Sequence, residues 1–373
     1  MADVTTAFVL WGGGSLGAAQ VGMLRALTAH GVSADLVVGA SVGALNAAYY
    51  AARPDADGAE ELVSLWLSVS GHDVYPLSRP QALHGLTRNL PLHPLRGAWQ
   101  ALGAANYTFP FRPRTFAGAM LGHRDHLFDN DALRRFLDRA LPIDDLEDAR
   151  IPLAVLTADA RGGRSVVLTR GPVIPALLAS AAIPGLYPTV TIDGRALMDG
   201  GVADQTTLDY AVDQGADEVY LLTPGFSCDL PAPPPTAIAM AVHGYNLLSE
   251  QRIAASIAHN EHRTRLHLIP PLCPVDVLPI DFAQTRELIE HATRATRHWL
   301  ERDESQAQVP RCAGDPPGCR PSEPPRRVHP RSPVRSRRRT QTHRHRRSPT
   351  AGSHGSRGDR LRWMTRSVRR ALV

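Results

Sequence analysis

A serine set between glycines, Gly39-Ala40-Ser41-Val42-Gly43, leaves this chain little choice of architecture. Leu36-Val37-Val38 ahead of it reads as a short buried strand, and the small residues behind it, to about Ala52, as a helix. A serine at that junction sits on a sharp turn. Glycines two before and two after it remove the side chains that would collide there, and the helix that follows aims backbone N–H groups toward its hydroxyl. The same order occurs once earlier. Ala7–Trp11 reads as a strand and Gly12-Gly13-Gly14-Ser15-Leu16-Gly17 as a turn. Ala18, Val21, Leu24, Ala26 and Leu27 then mark a helix that stops at His30-Gly31. Two strand–turn–helix units in the first 52 residues open a parallel α/β sheet.

Further along, Glu60–Ser70 presents Leu62, Leu65, Trp66 and Val69 on one helical face, and Asp129-Asn130-Asp131 reads as the cap of a helix through Leu141. Ile151–Thr157, Ser165–Thr169, Glu218–Leu222 and Leu266–Ile269 read as strands. Pro175–Ala182 reads as a helix, and Val190–Met198 as a hairpin turning at Asp193-Gly194. Pro231-Ala232-Pro233-Pro234-Pro235 is a stiff connector to C-terminal helices over 236–303. One of these is amphipathic, with Ile238, Val242, Tyr245, Leu248, Ile253 and Ile257; the other closes the domain over Phe282–Trp299. Residues 71–125, rich in Pro, His, Arg and aromatics without a clean period, read as an insertion over the sheet, either a lid or an irregular excursion. The expected organisation is an α/β domain of residues 1–305, its parallel-rich central sheet flanked by helices, followed by an Arg-rich disordered tail over 306–373.

Two further motifs bear on chemistry. Gly12-x-Gly14-x-x-Gly17 follows a strand and opens a helix, as a dinucleotide-binding turn does. That reading needs an acid after the second strand, whereas Asp35 lies before it and the strand delivers Ser41 instead. These glycines are therefore expected to expose unblocked N–H groups beside the serine, as an oxyanion hole. Asp199-Gly200-Gly201 follows the hairpin strand Ala196–Met198; by itself it reads as a tight turn.

Together the glycine loop, G-x-S-x-G about 25 residues later and the distant D-G-G resemble the patatin-like phospholipase family over roughly Ala7–Leu222. Ala179-Ser180-Ala181-Ala182-Ile183-Pro184-Gly185 is similar to the family as well. The resemblance implies a three-layer fold and a serine lipid-acyl hydrolase with a Ser–Asp dyad and neither metal nor organic cofactor. Carried onto this chain, Ser41 is the nucleophile, Asp199 the base, and Gly12, Gly13 and Gly14 surround the oxyanion. Gly17, Gly39, Gly43, Gly200 and Gly201 support the motifs. Leu16 stands where many members carry Arg or Lys, and Gln205 and Thr207 where Asn and Pro are frequent.

An aspartate near its ordinary pKa of about 3.9 is a poor base at neutral pH, so Asp199 is expected in an apolar cleft that raises it. Two other readings stay open. One is an α/β-hydrolase with a Ser–Asp–His triad completed by His243 or His259; the other is a non-catalytic lipid-binding module. His123-Arg124-Asp125-His126 lacks further ligands nearby, so no metal is expected. Cys228 and Cys273 read as buried thiols, Cys312 and Cys319 have no metal-site companions, and four cysteines exclude a disulfide-built scaffold.

The formal net charge of +5 hides a division. Residues 310–373 hold 18 Arg against only Asp315, Glu323 and Asp359, behind an acidic body. Such a tail is expected to be inert; attraction to anionic lipid headgroups at a membrane surface is the second reading, and nucleic acid the least expected partner. The expected partner is a lipid ester substrate, and no protein partner is legible. Met1–Thr6 has no basic n-region, Ala7–Trp11 is too short for a signal sequence, and Leu36–Ala52 is interrupted by Ser41 and Asn46. The expectation is a cytoplasmic protein, peripheral to the membrane at most.

Overall fold

Ala7, Phe8, Val9 and Leu10 are all fully buried, so the strand they form must be covered on both faces. The computed structural model describes residues 5–69, 125–224, 237–272 and 282–302. All but the last residue of the 71–125 stretch lies outside the described residues, as do the Pro231–Pro235 connector, the side chains of Ile238 and Val242, the four cysteines and the tail.

Among the described residues eight strands make one sheet. They are β1 (Thr6–Leu10), β2 (Leu36–Ala40), β3 (Leu153–Asp159), β4 (Ser165–Leu168), β5 (Val190–Ile192), β6 (Arg195–Asp199), β7 (Glu218–Leu222) and β8 (Arg265–Leu268). Pairing runs from β5 to β6, β3, β2, β1, β7 and β8 in turn, and β4 pairs with β3 as well. From β8 through β7, β1 and β2 to β3 all pairs are parallel; β4, β6 and β5 join antiparallel. The helices are α1 (Gly17–Ala29), α2 (Val42–Ala52), α3 (Ala56–Ser68), α4 (Asp131–Ala140), α5 (Val173–Ser180), α6 (Thr207–Asp213), α7 (Ala237–Asn260) and α8 (Thr285–Glu301). Phe8 and Leu10 face a core built with α1–α5 and α8. Ala7, Val9 and Trp11 face a second core with α6 and α7. The alternation of β1 thus separates two cores in a three-layer arrangement, as the resemblance implies.

The elements follow the sequence pattern with instructive differences. α3 begins at Ala56 because Asp55 closes its first turn, accepting from Gly58 N–H at 2.8 Å. Asn130, by contrast, makes no side-chain cap bond on α4, contrary to the expected cap. α6 has no clear apolar period in its sequence. Its start is fixed by a reciprocal capping box between Thr206 and Asp209. On α7, Ile253 and Ile257 are buried as expected, whereas Leu248 is 63% exposed. No described helix is long and apolar enough to cross a membrane.

β3 is the strand that builds the site. Its first part pairs with β2, Ala40 lying opposite Leu156. Its last part pairs with β6, Asp199 lying opposite Thr157. β4 pairs with Val155–Ala158 and so occupies the other edge. β2 and the oppositely running β6 therefore share one edge and meet end to end, one register step, about 3.3 Å, apart.

His267 on β8 is buried between Tyr220, stacked at 4.4 Å between ring centroids, and the edge-on Trp299. Neither ring nitrogen has a hydrogen-bond partner among the described residues. Burial lowers its pKa, although Glu218 works in the other direction. The unfolded imidazole takes up its proton at higher pH than the folded one, so this residue's contribution to stability is full above the ordinary imidazole range and falls as pH drops through it. Replacing it, His267→Phe, is expected to flatten that part of the melting temperature's pH dependence between about pH 7 and 5, measured by thermal denaturation.

Candidate active site

Ser41 sits between β2 and α2 with φ 54° and ψ −130°, a conformation an L-residue adopts at a cost of about 1–3 kcal/mol. Its surroundings enforce it. A side chain at Gly43 would place Cβ 2.4 Å from the Leu10 carbonyl oxygen, so α2 can start against β1 only with glycine there. Gly39 lies under the same turn, its missing Cβ 2.5 Å from Gly43 O. Ser180 Oγ, fully buried, accepts the Ser41 N–H at 2.9 Å and donates to Leu156 O at 2.7 Å. The elbow is thereby tied to the β3 residue that pairs with Ala40.

The glycine loop folds over the serine. A Cβ on Gly12 would approach Ser41 Cβ to 3.0 Å and Ser41 Oγ to 3.7 Å; one on Gly13 would meet Pro224, and one on Gly17 would meet Val42. Gly14 has φ 59° and lines the same cleft as Ser41. The N–H groups of Gly12, Gly13, Gly14 and Val42 donate to no backbone acceptor among the described residues. A buried polar chain fixes the loop from behind. Gln20 donates to the carbonyls of Trp11 and Leu222, at 2.6 and 3.0 Å. Asn46 donates to Gly17 O and Gln20 Oε1, and Trp66 Nε1 donates to Asn46 Oδ1. Leu16 packs on the core, so no fixed cation stands at that position. Asp35 is spent at the base of β1, accepting from Thr5 and from Thr6 N–H.

Asp199 is 1% exposed at the end of β6. Its Oδ1 accepts from Gly201 N–H at 2.7 Å and from the Tyr245 hydroxyl at 3.3 Å, while the buried Oδ2 has no partner within hydrogen-bond geometry. Burial pushes the carboxyl up to about 6; Gly201 N–H, Ser41 and the Tyr245 hydroxyl each hold it lower than burial alone would. Gly200 passes over Leu156 O, where a Cβ would come within 2.3 Å. The structure thus brings Ser41, Asp199 and the Gly12–Gly14 loop together. No histidine among the described residues bonds Ser41 or Asp199, and His259, one of the two candidates of the alternative triad, lines a separate polar hollow with Arg252 and Asp204. Gln205 bonds Asp213, and Thr207 is buried in the first turn of α6. Among the described residues no group of three His, Cys, Asp or Glu could hold a metal ion.

Ser41 opens onto a cleft whose walls are overwhelmingly apolar, among them Leu45, Leu62, Trp66, Leu133, Phe136 and Tyr187. Sequence reasoning missed Tyr245, Ser180 and Gln20 as parts of the site. Tyr245 has the spacing of a core residue, Ser180 carried only motif resemblance, and Gln20 is the polar residue in the otherwise apolar first half of α1, the one signal that could have marked it.

A mixed, mostly parallel sheet flanked by helices, with a strained serine at a strand-to-helix elbow beside a buried aspartate, defines the class. The family model of the patatin-like phospholipases matches residues 8–212, and this chain belongs to that family. Lysophospholipase nte1 of Aspergillus terreus is 28% identical over 218 residues, 58% of this chain and 12% of that protein. Patatin-like phospholipase domain-containing protein 6 of Homo sapiens is 25% identical over 223 residues, 59% of this chain and 13% of that protein. The chain therefore spans only a small part of the length of these relatives. Among solved structures, VipD from Legionella pneumophila aligns with TM-score 0.37 and 13% identity, covering 80% of this chain and 67% of VipD. ExoU from the type III secretion system of Pseudomonas aeruginosa aligns with TM-score 0.31 and 17% identity, covering 80% and 52%.

The raised pKa of Asp199 has a consequence for stability. The folded state binds this proton near pH 6 and the unfolded chain near 3.8, so the residue's stabilising contribution is full below 3.8 and lost as pH rises through 6. Asp199→Asn keeps an oxygen for Gly201 N–H and Tyr245 and carries no charge. It is expected to exceed the wild type in unfolding free energy at pH 8 by on the order of 2–3 kcal/mol, with the gap closing toward pH 4. Chemical denaturation at both pH values measures it.

Proposed function

We propose that this chain hydrolyses carboxylic esters of lipids through Ser41 and Asp199. The observation that carries the reading is the end-to-end meeting of β2 and β6 on one edge of β3. It sets Ser41 beside a buried carboxylate with one unpartnered oxygen. Asp199 accepts the Ser41 Oγ proton as Oγ attacks the acyl carbonyl carbon. The tetrahedral intermediate's oxyanion is received by N–H groups of the Gly12–Gly14 loop, each worth about 2.7–4 kcal/mol in comparable sites. As the intermediate collapses, the ester C–O bond breaks and the leaving alcohol takes the proton from Asp199. Water then gives a proton to Asp199 and attacks the acyl-serine, whose release returns the proton to Oγ.

The raised pKa suits this work: a carboxylate titrating near 6 is a far better base than an exposed one, yet is ionised at neutral pH. The apolar cleft beside Ser41 suits an acyl chain. The names of the relatives make lysophospholipids the first esters to try. The acyl hydrolase domain is taken as residues 1–305 and the Arg-rich segment 306–373 as an appendage to it. His243 and His259 have no step in this scheme.

Ser41→Ala is expected to abolish hydrolysis of lysophosphatidylcholine and of a short-chain p-nitrophenyl ester, and Asp199→Asn to lower kcat by about 10²–10⁴-fold. His243→Ala and His259→Ala keep wild-type turnover. The wild-type kcat/KM is expected to rise with pH through about 6, as Asp199 loses its proton. Turnover surviving in Ser41→Ala, or lost in either histidine variant with the fold intact, would overturn the assignment.

A further inference from the structure

In the scheme above Asp199 has no histidine to orient it, yet one of its oxygens is fixed from outside the sheet. Tyr245 and Arg252 lie seven residues apart on α7, two turns along one face. The Tyr245 hydroxyl donates to Asp199 Oδ1 at 3.3 Å. Arg252 Nη1 donates to Gly201 O at 2.8 Å, and the N–H of that same Gly201 donates to Oδ1 at 2.7 Å. One helix therefore grips the Asp199-Gly200-Gly201 turn twice, directly at the carboxylate and through the residue that supplies its other donor. The approach needs the bare backbone at position 201, where a Cβ would lie 2.4 Å from the Tyr245 oxygen.

Resting on the reading of Ser41 and Asp199 as the reacting pair, we propose that Tyr245 is the positioning residue of the base: with Gly201 N–H it holds Asp199 Oδ1 and leaves Oδ2 for the Ser41 proton. Like the third member of other hydrolytic constellations it orients the base and transfers no proton, but it does so as a donor. Burial and the neighbouring Asp199 raise its own pKa well above the ordinary 10, so the phenol stays a donor throughout the working range. The groups facing Asp199 are Ser41 from the elbow, Gly201 N–H from its own turn and Tyr245 from α7; those facing Tyr245 are Asp199, Ser249 and Arg252. Removing the phenolic O–H deletes a donor that favours the ionised carboxylate and leaves Oδ1 held by Gly201 N–H alone.

The test is the dependence of kcat and KM on pH, from about 5 to 9, for a short-chain p-nitrophenyl ester with full-length wild type, Tyr245→Phe and Tyr210→Phe. Tyr210, on α6, is a part-buried phenol outside the site and serves as the control. In Tyr245→Phe the acid limb is expected to move to higher pH and kcat at its plateau to fall about tenfold, with KM changed by less than about twofold. Tyr210→Phe moves neither, and all three proteins melt alike. An unmoved limb with kcat within about twofold of wild type overturns the role of Tyr245, while Ser41→Ala and Asp199→Asn remain inactive. Wild-type turnover in Ser41→Ala or Asp199→Asn overturns the parent reading and this inference with it.

Discussion

Two strands that run toward each other share one edge of β3, and the site exists because of where they stop. β2 ends opposite Leu156 and β6 opposite Thr157, so adjacent rungs of one ladder bring a hydroxyl and a carboxylate together from distant parts of the sequence. The backbone hydrogen bonds of a central strand, buried as far as Ala158, set that distance, and no flexible side chain is needed to span it. Several other contacts converge on the same rung. Ser180 donates to Leu156 O, Gly200 passes over it, and Asp199 N–H reaches Ala182 O at the end of the segment that carries Ser180.

The elbow and its loop are held by a different means. Ser41 keeps an unfavourable backbone conformation because its amide, the helix behind it and the glycine loop are each fixed to something rigid. The chain Trp66–Asn46–Gln20 links α3, α2 and α1 to the carbonyls that close β1 and β7. Every polar atom of that chain is paired within the protein, the condition under which a buried polar network rigidifies its surroundings. Oδ2 of Asp199 is the contrasting case: buried, unpartnered and on a group whose ionised form burial disfavours.

Much of this was legible in the chain itself. Short-range patterns located Ser41, the glycine loop and the hairpin that turns at Asp193-Gly194, where both residues take positive φ. They did so because glycine placement and apolar runs record local geometry directly. Asp199 was legible only through the order and spacing of three motifs, since an Asp-Gly pair alone marks any turn. What periodicity could not supply was partnership across the fold. Tyr245 and Leu248 both fit an inward stripe on α7, yet the first reaches a carboxylate and the second faces solvent. The short α6 was invisible to an apolar count because its beginning is set by side-chain hydrogen bonds at Thr206 and Asp209.

The shared edge of β3 also makes the site sensitive to the count of residues in one strand. The spacing of Ser41 and Asp199 follows rungs on one strand, although they lie 158 residues apart in sequence. A single residue gained or lost inside Leu153–Asp159 would shift one partner past the other and turn side chains to the opposite face. The seven residues of β3 thus act as a ruler whose length, more than its composition, is held by what pairs along it.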